Sequence, residues 1–376
     1  MTNIRKLAAR AILLSLVAVP AVRAQTAQCP GCLIPTVENP PTRAGTRLGN
    51  FLHIGIGARG NAMAGAVGSV INGSTAWFWN PAGAATIESF GITAGRQKLY
   101  GDMDITQTYA AVSYPLFGGA IGLTLNSLNS GQMLLTDEGA PFSNAARGAS
   151  FAWTSSAVGF GFARRLTDRL DIGGGFKLIT EGLPQVHSTS FAVDVGTQFR
   201  TGLFGLMLSG SLQSVGTGAA MNGVQLERGV STNDVSLSQT KFKLFTRPME
   251  LPTAFQFSVG DDLYGGAESL LGRGSGQHTL FSEISINDAV DMAVQAAIGA
   301  EYGYKNMLFA RAGKKFYNDG RAPEKGQAGH SSMYGMSGGF GVRFPVSGRA
   351  IRFDYSYTAL GDLRDIQVFS FDFGGR

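Results

Sequence analysis

The sequence predicts an all-β protein, a transmembrane antiparallel β-barrel of about 14 strands closed around a short N-terminal plug. Three observations predict it. Apolar residues alternate with polar or very small ones along one segment after another. The candidate strands run to about ten residues or more, enough to cross a bilayer at a tilt. The composition is low in charge (15%) and rich in glycine, 53 of 376 residues, and no apolar run after the leader approaches the ~20 residues of a membrane helix.

The elements follow in chain order. Arg5, Lys6 and Arg10 precede the apolar stretch Ala11–Val19, and Val22 and Ala24 stand where a signal peptidase reads small residues. This predicts a secretory signal peptide over 1–24. It holds four of the 31 Lys+Arg and none of the 26 Asp+Glu, so the mature chain carries 31 − 4 = 27 basic and 26 acidic residues. A net of +1 leaves no argument for a nucleic-acid partner. Residues 25–57 are expected as an N-terminal periplasmic segment. They contain the only two cysteines, Cys29 and Cys32. In an exported chain this spacing points to a small local disulfide, and the βαβ pattern of a redox domain is missing.

Residues 58–88 have a different character and are expected to plug the barrel. Ala62, Ala66 and Val70 fall at helical spacing beside Met63 and Val67, and Asn72-Gly73 would end such a helix. The aromatic knot Trp77-Phe78-Trp79 follows, with both tryptophans expected on one face of an extended segment. Asn80-Pro81-Ala82-Gly83 then suits a type I turn.

Residues 89–376 form the barrel. Ile121, Leu123 and Leu125 oppose Gly122, Thr124 and Asn126; Phe191, Val193 and Val195 oppose Asp194; Phe255 and Phe257 oppose Gln256; Phe353, Tyr355 and Tyr357 oppose Asp354 and Ser356. Candidate strands lie near 89–100, 104–115, 118–128, 150–164, 168–180, 187–200, 203–214, 251–260, 277–287, 290–303, 306–317, 333–345, 349–358 and 366–373. An even count suits a single-chain bacterial barrel. Long connections near 129–149, 215–250 and 318–332 fall at one end, and most short ones at the other. Asp261–Gly276 is a long connection where a short one is expected. Tyr100, Tyr114, Phe117, Tyr302, Tyr304, Phe344 and Tyr357 cluster near strand ends, as interfacial aromatics do.

No catalytic, cofactor or metal site is expected. His53, His187, His278 and His330 show no ligand spacing. His187 beside Ser188 and Ser190 is the nearest approach to a hydrolytic pair. Gly173–Lys177 lacks the Gly-Lys-Ser/Thr ending of a phosphate loop.

The stretch "LHIGIGARGNAMAGAVGSVINGSTAWFWNPAGAA" (Leu52–Ala85) resembles the N-terminal signature of the PorV/PorQ group of outer-membrane proteins. The residues that match are Gly57, Ala58, Arg59 and Met63, then Trp77, Trp79, Asn80, Pro81 and Gly83. Gly299–Phe316 and Phe353–Phe373 are similar to the group's late and closing hairpins. Asn72-Gly73-Ser74 replaces an acidic pair common among relatives, and Gly-Gly-Arg follows Phe373. The group is in turn similar to the FadL fatty-acid channels. The resemblance implies a fourteen-stranded barrel with an N-terminal plug in the bacterial outer membrane, in contact with its lipid. It also implies a docking or shuttle role in type IX protein secretion, with secretion-system or cargo proteins as partners. The alternative is a FadL-like channel for hydrophobic small molecules. For docking, the contact surface is expected within Met221–Glu250, where Lys241, Phe242, Lys243, Phe245 and Arg247 mix charge with apolar anchors.

Overall fold

The computed structural model describes residues 45–136, 149–229, 241–274, 276–292, 294–317, 335–346 and 348–374. The signal peptide, Cys29 and Cys32 lie outside them.

Among the described residues, fourteen long strands close into one antiparallel barrel. In chain order they are β1 (Gly91–Leu99), β2 (Ile105–Leu116), β3 (Gly119–Asn129), β4 (Thr154–Thr167), β5 (Leu170–Leu183), β6 (Val186–Arg200), β7 (Leu206–Gly216), β8 (Ala254–Tyr264), β9 (His278–Ala289), β10 (Gln295–Tyr304), β11 (Leu308–Tyr317), β12 (Met336–Val346), β13 (Arg349–Ala359) and β14 (Asp365–Gly374). Each pairs with its neighbours in sequence. The seam closes by β1 against β14, with Ile92 opposite Phe373 and Leu99 opposite Ile366. Closure leaves no sheet edge, which a bilayer demands of spanning strands.

Side-chain exposure settles which face meets lipid. Val193 and Phe257 are 49% and 42% exposed, whereas Asp194 and Gln256, one residue along, are each 7% exposed. A soluble sandwich would reverse that order. With its apolar face turned outward and its polar face inward, the chain is an outer-membrane barrel. Phe257→Arg is expected to cost ~2–4 kcal/mol, the penalty for a cation facing mid-bilayer lipid. Guanidinium titration of the barrel folded into vesicles measures it, and an unchanged midpoint would remove Phe257 from the lipid face.

The barrel's first and last strands begin and end at one end, called the terminal end here. Its turns are short: 117–118, 168–169, 201–205, 305–307 and 347–348. The far end holds the long connections, with a small ribbon of Met133–Leu134 against Ser150–Phe151 and another of Glu227–Gly229 against Lys241–Lys243. By the usual asymmetry of such barrels the terminal end is periplasmic. The connection 265–277 remains long at that end.

Several strands outrun their apolar runs because polar side chains carry the ladder further. β4 continues to Thr167, where Arg165 meets buried Asp171 at 3.0 Å and Arg200 reaches the same carboxylate at 2.8 Å. β8 continues past Asp261 to Tyr264 through a register shift. β10 begins at Gln295, later than the expected 290, because the chain turns at Ala289–Met292 and presents Asp291 to the lumen.

Candidate functional site

The segment before β1 runs through the barrel from the far end to the terminal end. At the far end Leu48 N–H donates to the Glu250 carbonyl at 3.0 Å, Arg47 pairs with the Glu250 carboxylate, and Gly49 N–H donates to Glu181 at 2.5 Å. Leu48 and Phe51 pack there with Ile179 and Leu251. The described part of 25–57 therefore lies at the end opposite to the periplasmic one expected for it.

Further down, helix α1 (Ala58–Ala62) starts after Gly57, whose φ is +85°. The spacing of Ala62, Ala66 and Val70 suggests a helix to residue 70, but it stops at Ala62. Ala64 and Gly65 adopt positive φ, and the turn thrusts Met63 against the wall at Gly299 and Gly313, where any Cβ would collide with Met63 backbone or Cβ atoms. Wall packing outweighs one more helical turn. The aromatic knot is likewise not extended. Ala76–Trp79 forms the single turn α2, so Trp77 and Trp79 stand about 200° apart around the helix and face different neighbours.

Trp77 is the wall contact. Its indole N–H donates to Ser113 Oγ at 2.9 Å, and the ring fills a slot where a Cβ on Gly122 or Gly161 would lie 2.2 or 2.5 Å from it. Trp79 is an internal contact. Its N–H donates to the Ile56 carbonyl at 2.6 Å and its ring covers Gly55, Gly60 and Gly65. Phe78 meets Tyr109 edge-on, centroids 5.8 Å apart. Asn80, fully buried, donates to the carbonyls of Gly68 and Thr197 at 3.0 Å each, and its Oδ1 accepts from Ala82 N–H. Pro81 opens the 3₁₀ turn Pro81–Thr86. Gly83 is required by close approach, since a Cβ there would sit 2.1 Å from the Ile71 carbonyl.

Charge fastens the segment to the opposite wall. Arg59 grips Glu301 with two nitrogens at 2.9 and 2.8 Å. Arg311 reaches Glu301 at 2.5 Å and Asp354 at 2.6 Å, Arg352 holds Asp354 at 2.7 Å and Asp372 at 3.6 Å, and Thr75 Oγ1 donates to Asp372 at 3.0 Å. Three guanidiniums thus face three carboxylates, and both ends of the ladder are residues of the inner segment. Further bonds run from Ser69 to Glu283 (2.6 Å), from Gln256 to the Gly65 carbonyl (3.0 Å) and from Gln198 to the Gly68 carbonyl (2.8 Å).

A cavity of about 650 Å³ lies between the stretch Phe51–Ile54, the aromatic knot and the far-end wall, where Leu128, Trp153 and Leu360 line it. All three tryptophans of the chain border it. Of its polar groups, His53 pairs with Asp291 at 3.0 Å and Lys177 with Asp194 at 2.9 Å, while the Asn50 and Asn287 amide oxygens and the Thr358 hydroxyl are buried there without a partner among the described residues and Lys315 also lines it. Burial holds the His53 imidazole below its ordinary pKa, and the pull of Asp291 does not make up the difference. No trio of metal-ligating side chains occurs among the described residues. His187 is exposed on the outer face while Ser188 and Ser190 are buried on the inner one, so strand alternation parts them.

No protein-family model and no curated protein sequence matches this chain. Among solved structures it is similar to the CymD monoaromatic hydrocarbon channel, at 11% identity and a TM-score of 0.50, over 85% of this chain and 96% of that one. It is equally similar to the Pseudomonas putida toluene transporter TodX, at 12% identity and a TM-score of 0.50, over 85% and 96%. The likeness is one of fold. The PorV/PorQ resemblance rests on the quoted motifs alone. In this barrel the motif residues Gly57, Ala58, Arg59, Met63, Trp77, Trp79, Asn80, Pro81 and Gly83 gather in the inner segment. The loop residues Lys241, Phe242, Lys243, Phe245 and Arg247 lie well apart, beyond the far end. Glu301, Arg311 and Asp354 escape a search for catalytic or ligand motifs. Their signal was opposite charges at inward positions of neighbouring membrane-crossing strands, β10, β11 and β13.

Proposed function

We propose that this protein is a channel, not an enzyme, that admits small hydrophobic compounds across the outer membrane. The observation that carries this reading is the cavity above the aromatic knot. It has the volume of a small-molecule pocket, the aromatic rings of Phe51, Trp77, Phe78, Trp79 and Trp153 border it among polar groups such as His53, Lys177 and Asp291, and a segment pinned by buried ion pairs closes it below. A general aqueous pore needs a wet path, and the inner segment interrupts that path. The hydrocarbon and toluene channels of similar fold support the same substrate class.

The tryptophans supply the test. Adding a brominated monoaromatic compound to the detergent-solubilised barrel should quench indole fluorescence saturably, and a hydrophilic bromide salt should not. Quenching that rises linearly, without saturation, would sink the reading.

One observation favours the docking alternative. Phe245 is 89% exposed and Phe242 61% exposed beyond the far end, beside Lys241 and Lys243 on the small ribbon. Residues 230–240 of that loop lie outside the described residues. Deleting 224–245 should leave the quenching intact under the channel reading. Loss of protein capture from native outer membranes in the same variant would favour docking.

A further inference from the structure

The outer wall is not uniformly greasy. On β8, β11 and β12 the outward positions nearest the far end are Phe255, Phe316 and Met336, all exposed, and on β9 the exposed Asp288 stands opposite Phe255, one outward position above Ile286. On β14, β1 and β2 the same level carries Gln367, Lys98, Arg96, Thr106 and Thr108. Register fixes the arrangement: Arg96 stands opposite Thr108 on one side and Phe369 on the other, and Lys98 opposite Thr106 and Gln367. Phe369 is 61% exposed, so Arg96 sits at the upper margin of the apolar belt, about 10 Å of strand from Leu99.

Arg96 has no ion-pair or hydrogen-bond partner among the described residues. Two carboxylates at hand, Asp102 and Asp365, are engaged elsewhere. Asp102 lies 3.8 Å from Lys98 and also pairs with Arg364. Asp365 accepts from Gln367 at 2.8 Å. Asp104 sits in the turn against Gly131. An unpaired guanidinium on a lipid-facing wall is penalised the more the deeper it lies, and at the belt's margin it reaches up to the headgroups. Phosphate oxygens are the partners a guanidinium fork and an ammonium best fit.

We propose that Arg96 and Lys98, with Arg364 above them, form a site for a phosphorylated glycolipid of the outer leaflet. Its phosphates meet the cations, its sugar hydroxyls meet Thr106 and Thr108, and its acyl chains run down over Phe369 and Val112. The two cations are about 7 Å apart along β1, which matches a lipid bearing more than one phosphate. This inference rests on the far end facing outward and is independent of what the lumen carries.

Native mass spectrometry of the full barrel in detergent tests it, with diphosphoryl lipid A, its dephosphorylated form and dioleoylphosphatidylglycerol as probes. Diphosphoryl lipid A should bind at least ten-fold more tightly than the other two. Arg96→Gln with Lys98→Gln should erase that preference, and Arg96→Lys should keep part of it. Heat-modifiability on gels and the fluorescence quenching above should be unchanged, which separates loss of this site from misfolding or from failure of the channel reading. If the double variant does not fold, Arg96→Gln alone carries the test. Equal binding of the dephosphorylated lipid, or an unaltered preference in the variants, would overturn the proposal. Equal binding of phosphatidylglycerol, lost in the same variants, would overturn the glycolipid in favour of a phospholipid.

Discussion

Glu301→Gln should release the inner segment while leaving the barrel standing. Glu301 is the meeting point of Arg59 from the inner segment and Arg311 from the wall, and the three side chains are 11%, 8% and 0% exposed. Glutamine keeps the volume and removes the charge. Two guanidiniums then share a site with no carboxylate between them, far from water that could solvate them. Removing one member of a buried ion pair costs roughly 3–5 kcal/mol. The barrel's own ladders do not depend on Glu301, so the cost falls on the attachment of the inner segment. Protease should cut within 58–85 in the variant and not in the parent, and ion conductance across a planar bilayer should rise. Replacing Arg59 and Glu301 together by leucine should restore much of the resistance, because two well-packed apolar groups leave no buried charge unmatched. A silent, protease-resistant Glu301→Gln barrel would show that the charge ladder is not what holds the segment.

Trp77→Ala and Trp79→Ala should each cost about 3–5 kcal/mol, as large aromatic truncations do, and they should fail differently. Trp77 fills a slot made by the absence of side chains at Gly122 and Gly161, and its N–H is satisfied by Ser113. Its loss empties the contact between segment and wall, so cleavage within 58–85 should accelerate. Trp79 closes on the segment's own glycines and borders the cavity. Its loss should enlarge the cavity, and bromoaromatics too bulky for the parent should then quench the remaining tryptophans. If both variants resisted protease like the parent, and Trp79→Ala kept the parent's size limit, the aromatic knot would have neither role.

Much of this was legible in sequence. Period-two alternation at Phe191–Val195 and Phe353–Tyr357 gives the barrel, because a strand with one greasy face has few places to put it. The polar parity of Glu301, Arg311 and Asp354 places them inward on β10, β11 and β13. Their partner Arg59 stands 242 positions before Glu301, and no local pattern announces a contact so distant. The helix-like spacing through Val70 misleads because Met63 is recruited by glycines on β10 and β11. "WFW" reads as extended because α2 is a single turn, too short to be stable alone and held by what its rings touch. The direction in which residues 45–57 run was invisible, since nothing within them says which mouth of the barrel they face.

That direction of travel bears on assembly. The polypeptide enters its own barrel at the far mouth and leaves at the terminal one before laying down β1, so the hoop is threaded on its own leading strand. A hoop sealed first, by β1 meeting β14, could be threaded only by drawing the free amino end lengthwise through the narrow bore. The economical order is the reverse: sheet curling around a stretch already lying along its inner surface, with the seam zipped last. A bulky folded domain fused to the amino end should therefore be tolerated if it stays beyond the far mouth while the seam closes, and should stall closure if it must pass through the bore.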